Sequence, residues 1–281
     1  MRVSCSKLLF QSKHRGEMSI TQKNKDSNMT DKGIYKGISE AHRSGKKQIA
    51  MLIDPDGLSP SALEKQLLLA KEAPVDFLFL GGSLIWDDTL NASADLIQQM
   101  CPHIPLLLFP GNPTQLNEKA DGVLFLSLIS GRNPELLIGQ QIIAAPLLKT
   151  MDIEVIPTGY MLIKCGSATT VEYISQTMPI PYNKPEVAGC TAFAGELLGL
   201  KLIFMDGGSG ADKPISAQMI RTVSGTISIP LLVGGGIRTP EQAATAISAG
   251  ADIIVVGNAF EKDPSLIGEL TEAVHGFGVE R

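Results

Sequence analysis

The stretch PLLVGGGIRTPEQAATAISAGADIIVVGN, residues 230–258, reads as strand, loop, helix, loop and strand. Pro230–Val233 and Ile253–Val256 are short apolar runs rich in branched residues. They are apolar throughout rather than alternating, which is the habit of parallel strands buried on both faces. Between them, Thr239 and Pro240 supply an N-cap and a first helical residue, and Gly250 ends the helix of Pro240–Ser248. The stretch is therefore a βαβ unit.

Working outward, the same alternation recurs. Six more strand candidates precede it: Gln48–Ile53, Phe77–Leu80, Leu106–Phe109, Gly122–Leu126, Gly159–Ile163 and Leu202–Met205. Helical stretches lie at Ser59–Ala73, Asp87–Met100, Pro134–Leu148, Lys184–Leu198, Ser216–Ser224 and Pro264–Val274. Eight strands alternating with helices in about 250 residues favour a closed (β/α)8 TIM barrel over an open doubly wound sheet. Two places depart from the scheme. Pro110 to Asp121 is too short for a full helix, so an irregular or missing helix follows strand three. Pro157 and Gly159 interrupt the fifth candidate, which is accordingly started at Gly159. Residues 1–30 are polar and aperiodic and read as a disordered leader, which leaves 31–281 as one barrel domain.

Composition narrows the classes. The chain of 281 residues is 44% hydrophobic, too apolar for a disordered protein and long enough to bury a large core. Net charge is −5, with no basic stripe, so no nucleic-acid partner is expected. Cys5, Cys101, Cys165 and Cys190 show no CxxC spacing, and the four histidines form no HxH or HxxxH pair, so neither a disulfide framework nor zinc is expected. No apolar run reaches transmembrane length, and a cytoplasmic location is expected.

In a barrel the loops after the strands carry the chemistry. Gly234–Gly236 follow strand seven, and Gly257 and Asn258 follow strand eight. Glycines let backbone N–H groups approach a phosphate, and barrels commonly bind phosphate at these two loops; tight turns alone are the competing reading. Asp54 after strand one and Ser83 after strand two would be neighbours on the rim. Together they suit Mg²⁺, which takes hard oxygen ligands and completes its shell with substrate oxygens; alternatively, Asp54 caps its own turn. Asp206, after strand six, is placed as a general base or as a turn cap. Tyr160 either donates a hydrogen bond to a ligand or packs in the barrel with its hydroxyl satisfied. Arg132 serves an anion or ties loops together, and the sequence favours neither.

Taken together, IDPDG, FLFLGGS, FPGNPTQL, LFLSLISGRNPELLIGQ, EVIPTGYMLI, GSGAD, VGGGIRTPEQA and GADIIVVGNAFEKDP resemble the geranylgeranylglyceryl phosphate synthase family, from about Ile34 to His275. The resemblance implies a prenyltransferase. It would join a polyprenyl diphosphate, of geranylgeranyl type, to the 3-hydroxyl of sn-glycerol 1-phosphate, releasing diphosphate and forming an ether lipid precursor. It implies Mg²⁺ on Asp54 and Ser83. It places glycerol phosphate against Phe204, Met205, Asp206, Gly207, Gly208, Ser209 and Gly210, then Gly235 and Gly236, then Gly257 and Asn258. The chain departs from the family in two ways. Asp206 and Phe204 stand where Glu and Tyr are common, and Leu52 and Ile53 leave no Lys before Asp54.

The resemblance further implies a homo-oligomer with transient membrane contact, and an apolar prenyl groove over the connection after strand three. The rival readings are another phosphate-binding barrel enzyme, such as a sugar-phosphate isomerase or thiamine-phosphate-type synthase, or a barrel that binds phosphate without catalysis. An apolar groove beside the phosphate loops separates them.

Overall fold

The computed structural model describes residues 30–56, 58–82 and 89–277. Eight parallel strands close into a barrel in sequential order. They are β1 (Gln48–Ile53), β2 (Phe77–Leu80), β3 (Leu106–Leu108), β4 (Gly122–Leu128), β5 (Glu154–Leu162), β6 (Leu202–Asp206), β7 (Leu231–Gly234) and β8 (Ile253–Val256). The barrel closes where Gln48 of β1 registers with Ile253 of β8. The longer helices around it are α1 (Ile34–Ser44), α2 (Pro60–Glu72), α3 (Thr89–Met100), α4 (Gln140–Leu148), α6 (Pro185–Leu197), α7 (Ala217–Ser224), α8 (Pro240–Ser248) and α10 (Leu266–His275). Two short helices, α5 (Thr170–Ser175) and α9 (Asn258–Lys262), follow β5 and β8. The expected leader lies outside the described residues except for Thr30.

Capping follows the sequence signals. Ser59 and Thr239 accept hydrogen bonds from the N–H groups of Ala62 and Gln242 at the starts of α2 and α8, each with Pro at the first helical position. After β3, only a single 3₁₀ turn (Pro113–Gln115) joins the chain to β4, as expected from its length.

β5 corrects the sequence reading. It begins at Glu154 rather than Gly159 and carries Pro157 and Gly159 in its interior. Pro157 is tolerated because its missing N–H lies on the β6 side, where pairing starts only at Thr158↔Leu202. Its carbonyl is used, accepting from Lys201 N–H at 2.8 Å. At Gly159 a Cβ would come within 2.8–2.9 Å of Ile129, Ile203 and Leu200, so this glycine marks close packing, not a break. The helix read at Pro134–Leu148 is split into a π-turn (Glu135–Gly139) and α4.

The core has two layers. Inside the barrel lie Phe79, Leu107, Leu124, Ile156, Phe204, Leu232 and their neighbours. Between strands and helices lie Ile49, Leu67, Ile97, Met161, Met205, Met219 and Phe260 among others. Strand alternation assigns the side chains, so Phe204 and Asp206 point inward while Met205 points outward.

The N-terminal face of the barrel is stapled by carboxylates. Buried Glu154 accepts from the backbone N–H groups of Lys32, Ile34 and Tyr35 at 2.8–3.0 Å, holding the start of α1, whose positive dipole end favours the charge. Asp76 accepts from Ile49 N–H and meets His275, and Asp252 accepts from Leu231 N–H and meets His42 and Lys47. This face supplies stability and leaves the opposite rim free for chemistry.

Candidate active site

A cavity of about 410 Å³ opens at the C-terminal rim, within the range of small-molecule sites. Its floor is aromatic. Phe109, Tyr160 and Phe204 form a triangle with ring centroids 5.2–5.8 Å apart. These rings come from the end of β3, from β5 and from β6, and they seal the barrel interior beneath the cavity.

Above the rings sits Asp206, the last residue of β6, which is 9% exposed. Tyr160 donates its hydroxyl proton to Asp206 Oδ2 at 2.6 Å, and Gly208 N–H donates to Oδ1 at 2.8 Å. Burial pushes the Asp206 carboxyl above its ordinary range, although both hydrogen bonds pull the other way. Burial, and then the Asp206 charge, holds the Tyr160 hydroxyl far above its usual value. The Cys165 thiol is raised to about 12 by burial and by Asp206, against a smaller opposing effect of Lys213. The turn cap read for Asp206 and the satisfied core hydroxyl read for Tyr160 are thus present, and both residues also line the cavity.

Three glycine-bearing loops form one side. Gly208, Ser209 and Gly210 follow β6, Gly235 and Gly236 follow β7, and Gly257 and Asn258 follow β8; all seven line the cavity. Ser209 Oγ donates to Asn258 Oδ1 at 3.1 Å, joining the first loop to the third. Gly235 has φ 81°, and a Cβ there would lie 2.5 Å from Gly207 N and 2.8 Å from Asp206 Oδ1. Two loops approach at backbone distance here, which is what glycine permits. Met205 and Gly207, implied by the resemblance to meet substrate, are not cavity walls. Met205 faces the helices, and Gly207 N–H is donated to Gly234 O.

On the other side, Asp54 lines the cavity beside β2. Its Oδ1 accepts from Asp56 N–H at 3.1 Å, the turn cap that the sequence allowed. Burial is the largest cause raising its carboxyl above the usual value. A Cβ at Gly82 would stand 2.7 Å from both Asp54 carboxylate oxygens, so glycine lets the backbone at this position approach the carboxylate. Glu261 of α9 is raised by burial and then by the Asp54 charge, and it lines the same cavity. Hard oxygen donors with surplus negative charge fit Mg²⁺ as one ligand type. Ser83 lies outside the described residues. Among the described residues, no cluster of three or more His, Cys, Asp or Glu side chains stands ready to enclose a metal.

The remaining wall is apolar. Leu116, Val123, Leu126, Leu128, Leu136, Ala144, Val171 and Ile174 carry the cavity from Phe109 toward α4. Part of it lies beside Asn112 and Pro113, at the short connection after β3. Gln141 borders it and donates its amide to the carbonyls of Leu126 and Leu136, tying the π-turn to β4.

The sequence pattern of the PcrB family matches residues 42–274. The chain belongs to the PcrB family. It is 51% identical over 242 residues to the geranylgeranylglyceryl phosphate synthase of Chitinophaga pinensis, covering 86% of this chain and 96% of that one. The enzyme of the same name from Spirosoma linguale is 50% identical over 83% and 94% of the two chains. Among solved structures, (S)-3-O-geranylgeranylglyceryl phosphate synthase of Thermoplasma acidophilum, in complex with its substrate sn-glycerol-1-phosphate, superposes with a TM-score of 0.81 at 29% identity. That match covers 88% of this chain and 99% of the other.

Within this PcrB-family barrel, sequence reading missed several cavity residues. Phe109 and Leu136 carried only a hydrophobic signal. Gly82, Arg238 and Glu261 carried none that singled them out, because their roles depend on contacts across the rim. Arg132, left open between two roles, is exposed, lies away from the cavity walls and donates to the carbonyl of Gly131.

Proposed function

We propose that this protein joins a polyprenyl diphosphate, of geranylgeranyl type, to the 3-hydroxyl of sn-glycerol 1-phosphate. The observation that carries this reading is the cavity's division. Glycine-rich loops lie at one end, an apolar wall runs from Phe109 to Ala144 at the other, and Asp206 stands between them. A sugar-phosphate isomerase has no use for the apolar extension. Membership of the PcrB family and relatives bearing the synthase name support the same conclusion.

Backbone N–H groups of the glycine loops receive the phosphate, and the field of the α9 start, where Gly257 and Asn258 line the cavity, adds to the attraction. Their task is to fix the glycerol hydroxyl against the first carbon of the prenyl chain, which supplies proximity. Asp206 takes the hydroxyl proton as the new C–O bond forms and the bond to diphosphate breaks. Tyr160 holds that carboxylate in place through its short hydrogen bond. The aromatic floor and apolar wall exclude water, so glycerol phosphate competes with little solvent for the allylic carbon. Asp54 and Ser83 would hold Mg²⁺, which when bound neutralises charge on the leaving diphosphate.

Purified protein, Mg²⁺ and labelled sn-glycerol 1-phosphate should transfer label to an organic-extractable product with geranylgeranyl diphosphate. The sn-glycerol 3-phosphate isomer should not react, and chelation of the metal should stop transfer. Label transfer independent of metal would remove Mg²⁺ from the reading. Absence of transfer with phosphate still bound would favour the isomerase or binding readings.

The proposal extends to a second copy of the chain. Eleven of the thirteen exposed large apolar side chains among the described residues fall between Ile138 and Leu198, on α4, α5, α6 and the segments flanking them. These elements lie around β5 on one sector of the barrel. Residues 136–148 contain no charged side chain, although Ile138, Ile142, Ile143 and Leu147 are exposed. An uncharged patch of this kind resembles a stable homodimer interface, which buries on the order of 800 Å² per partner. The surrounding Lys149, Lys184, Glu172 and Glu186 balance in sign, unlike the basic rim that favours an anionic membrane. Light scattering should show an oligomer for the native protein and a smaller species for the double variant Ile142→Lys with Leu198→Glu. A native monomer would refute the assignment. Among the described residues no helix is long and apolar enough to cross a membrane.

A further inference from the structure

A loop that turns its N–H groups toward an anion turns its carbonyls the other way, and those carbonyls then need donors. In the loop after β6, Gly207–Lys213, Gly208 and Gly210 have φ 85° and 77°, and Gly208, Ser209 and Gly210 line the cavity. Arg238, two residues beyond Gly236 on the neighbouring loop, donates from Nη1 to Asp212 O at 3.1 Å and from Nη2 to Ala211 O at 2.5 Å. Its own backbone is anchored, since Arg238 N–H donates to Gln242 Oε1 at 2.7 Å in the first turn of α8. The two loops also nest. A Cβ at Gly236 would lie 2.5 Å from Lys213 O. The far side of the β6 loop is tied to the loop after β5, where Ser167 N–H and Oγ both donate to Asp212 Oδ2.

We propose that Arg238 is the positioning residue that holds the β6 loop in its anion-receiving shape and so sets affinity for glycerol phosphate. The inference rests on the reading of these loops as the phosphate site. The planar guanidinium suits the task because it spans two successive carbonyls, which a single ammonium does not match.

The experiment compares wild type with Arg238→Ala and Arg238→Lys. Steady-state KM is measured for both substrates, and calorimetry follows sn-glycerol 1-phosphate and inorganic phosphate separately. Loss of two charge-assisted hydrogen bonds should raise KM for glycerol phosphate about tenfold or more. The KM for prenyl diphosphate should stay within about twofold, because the other end of the cavity is untouched, and kcat should change less than the KM for glycerol phosphate. The Lys variant should resemble Ala rather than wild type. A Lys variant near wild type would show that charge alone matters and would overturn the proposal. So would an equal rise in KM for both substrates, or an unchanged KM for glycerol phosphate. If wild type binds inorganic phosphate but not glycerol 1-phosphate, the substrate reading fails. The phosphate affinities of the variants would still judge Arg238. If the Ala variant does not fold, the Lys variant decides.

Discussion

Replacing Asp206 by Asn is expected to lower kcat by about 10²–10⁴-fold, the usual contribution of a positioned base, while the protein stays folded. The geometry makes this a clean test. Asn keeps the shape of the carboxylate and still accepts from Gly208 N–H, and the Tyr160 hydroxyl, free to reverse its donor role, accepts from the new amide. Burial raises the native Asp206 carboxyl above its unfolded value of 3.8. The native fold therefore favours the protonated form. Its stabilising contribution is full below the unfolded value and is lost as pH rises through the native one. At neutral pH the buried charge is a burden, so the neutral Asn variant should melt within about 1 kcal/mol of wild type or above it. Wild-type kcat/KM should fall on the acid side at a higher pH than an ordinary carboxylate would give. Full activity in the Asn variant would remove Asp206 from the chemistry. Equal loss of activity and of phosphate affinity would make it a binding residue.

Gly235→Ala is expected to weaken binding of glycerol phosphate by about 100-fold and to destabilise the fold. The methyl group would stand 2.5 Å from the Gly207 nitrogen, and φ 81° is a conformation that alanine disfavours by about 1–2 kcal/mol. Overpacking adds about 1–3 kcal/mol. Because the contact is backbone, relief requires the β6 loop to move, and with it Gly208 and the Asp206 carboxylate. Calorimetry and thermal melting read the two effects. Gly268→Ala in α10 is the control, since a Cβ there meets nothing within 4 Å and a helical position gains slightly from alanine. Unchanged phosphate affinity in Gly235→Ala would place the anion elsewhere.

The barrel was legible because each strand is an apolar run bounded by turn chemistry. Phe77–Leu80 and Ile253–Val256 match the structure at both ends, as does Gln48–Ile53. β5 was read too short because Pro157 and Gly159 look like breakers when taken alone. Their meaning depends on β6 beginning late at Leu202 and on side chains from Ile129, Leu200 and Ile203 crowding Gly159. α1 was not read as a helix. Ile34, Ile38 and Ala41 recur at helical spacing and Gly45 ends the helix, so the local signal was present; only the anchoring of its first turn by Glu154, more than a hundred residues away, leaves no local trace.

The site divides in the same way. Glycines at the ends of β7 and β8, Asp206 at the end of β6 and Asp54 at the end of β1 were readable, because barrel topology sends every strand end to one rim. Sequence alone thus determined the fold, the face that carries chemistry and the residue types gathered there. Tertiary structure alone decided that Tyr160 grips Asp206, that Gly82 leaves room for Asp54, that Met205 faces away, and that Arg238 braces the loop after β6. Each of these depends on distances between strands that are neighbours only after the barrel closes, and local periodicity carries no record of which side chains then meet.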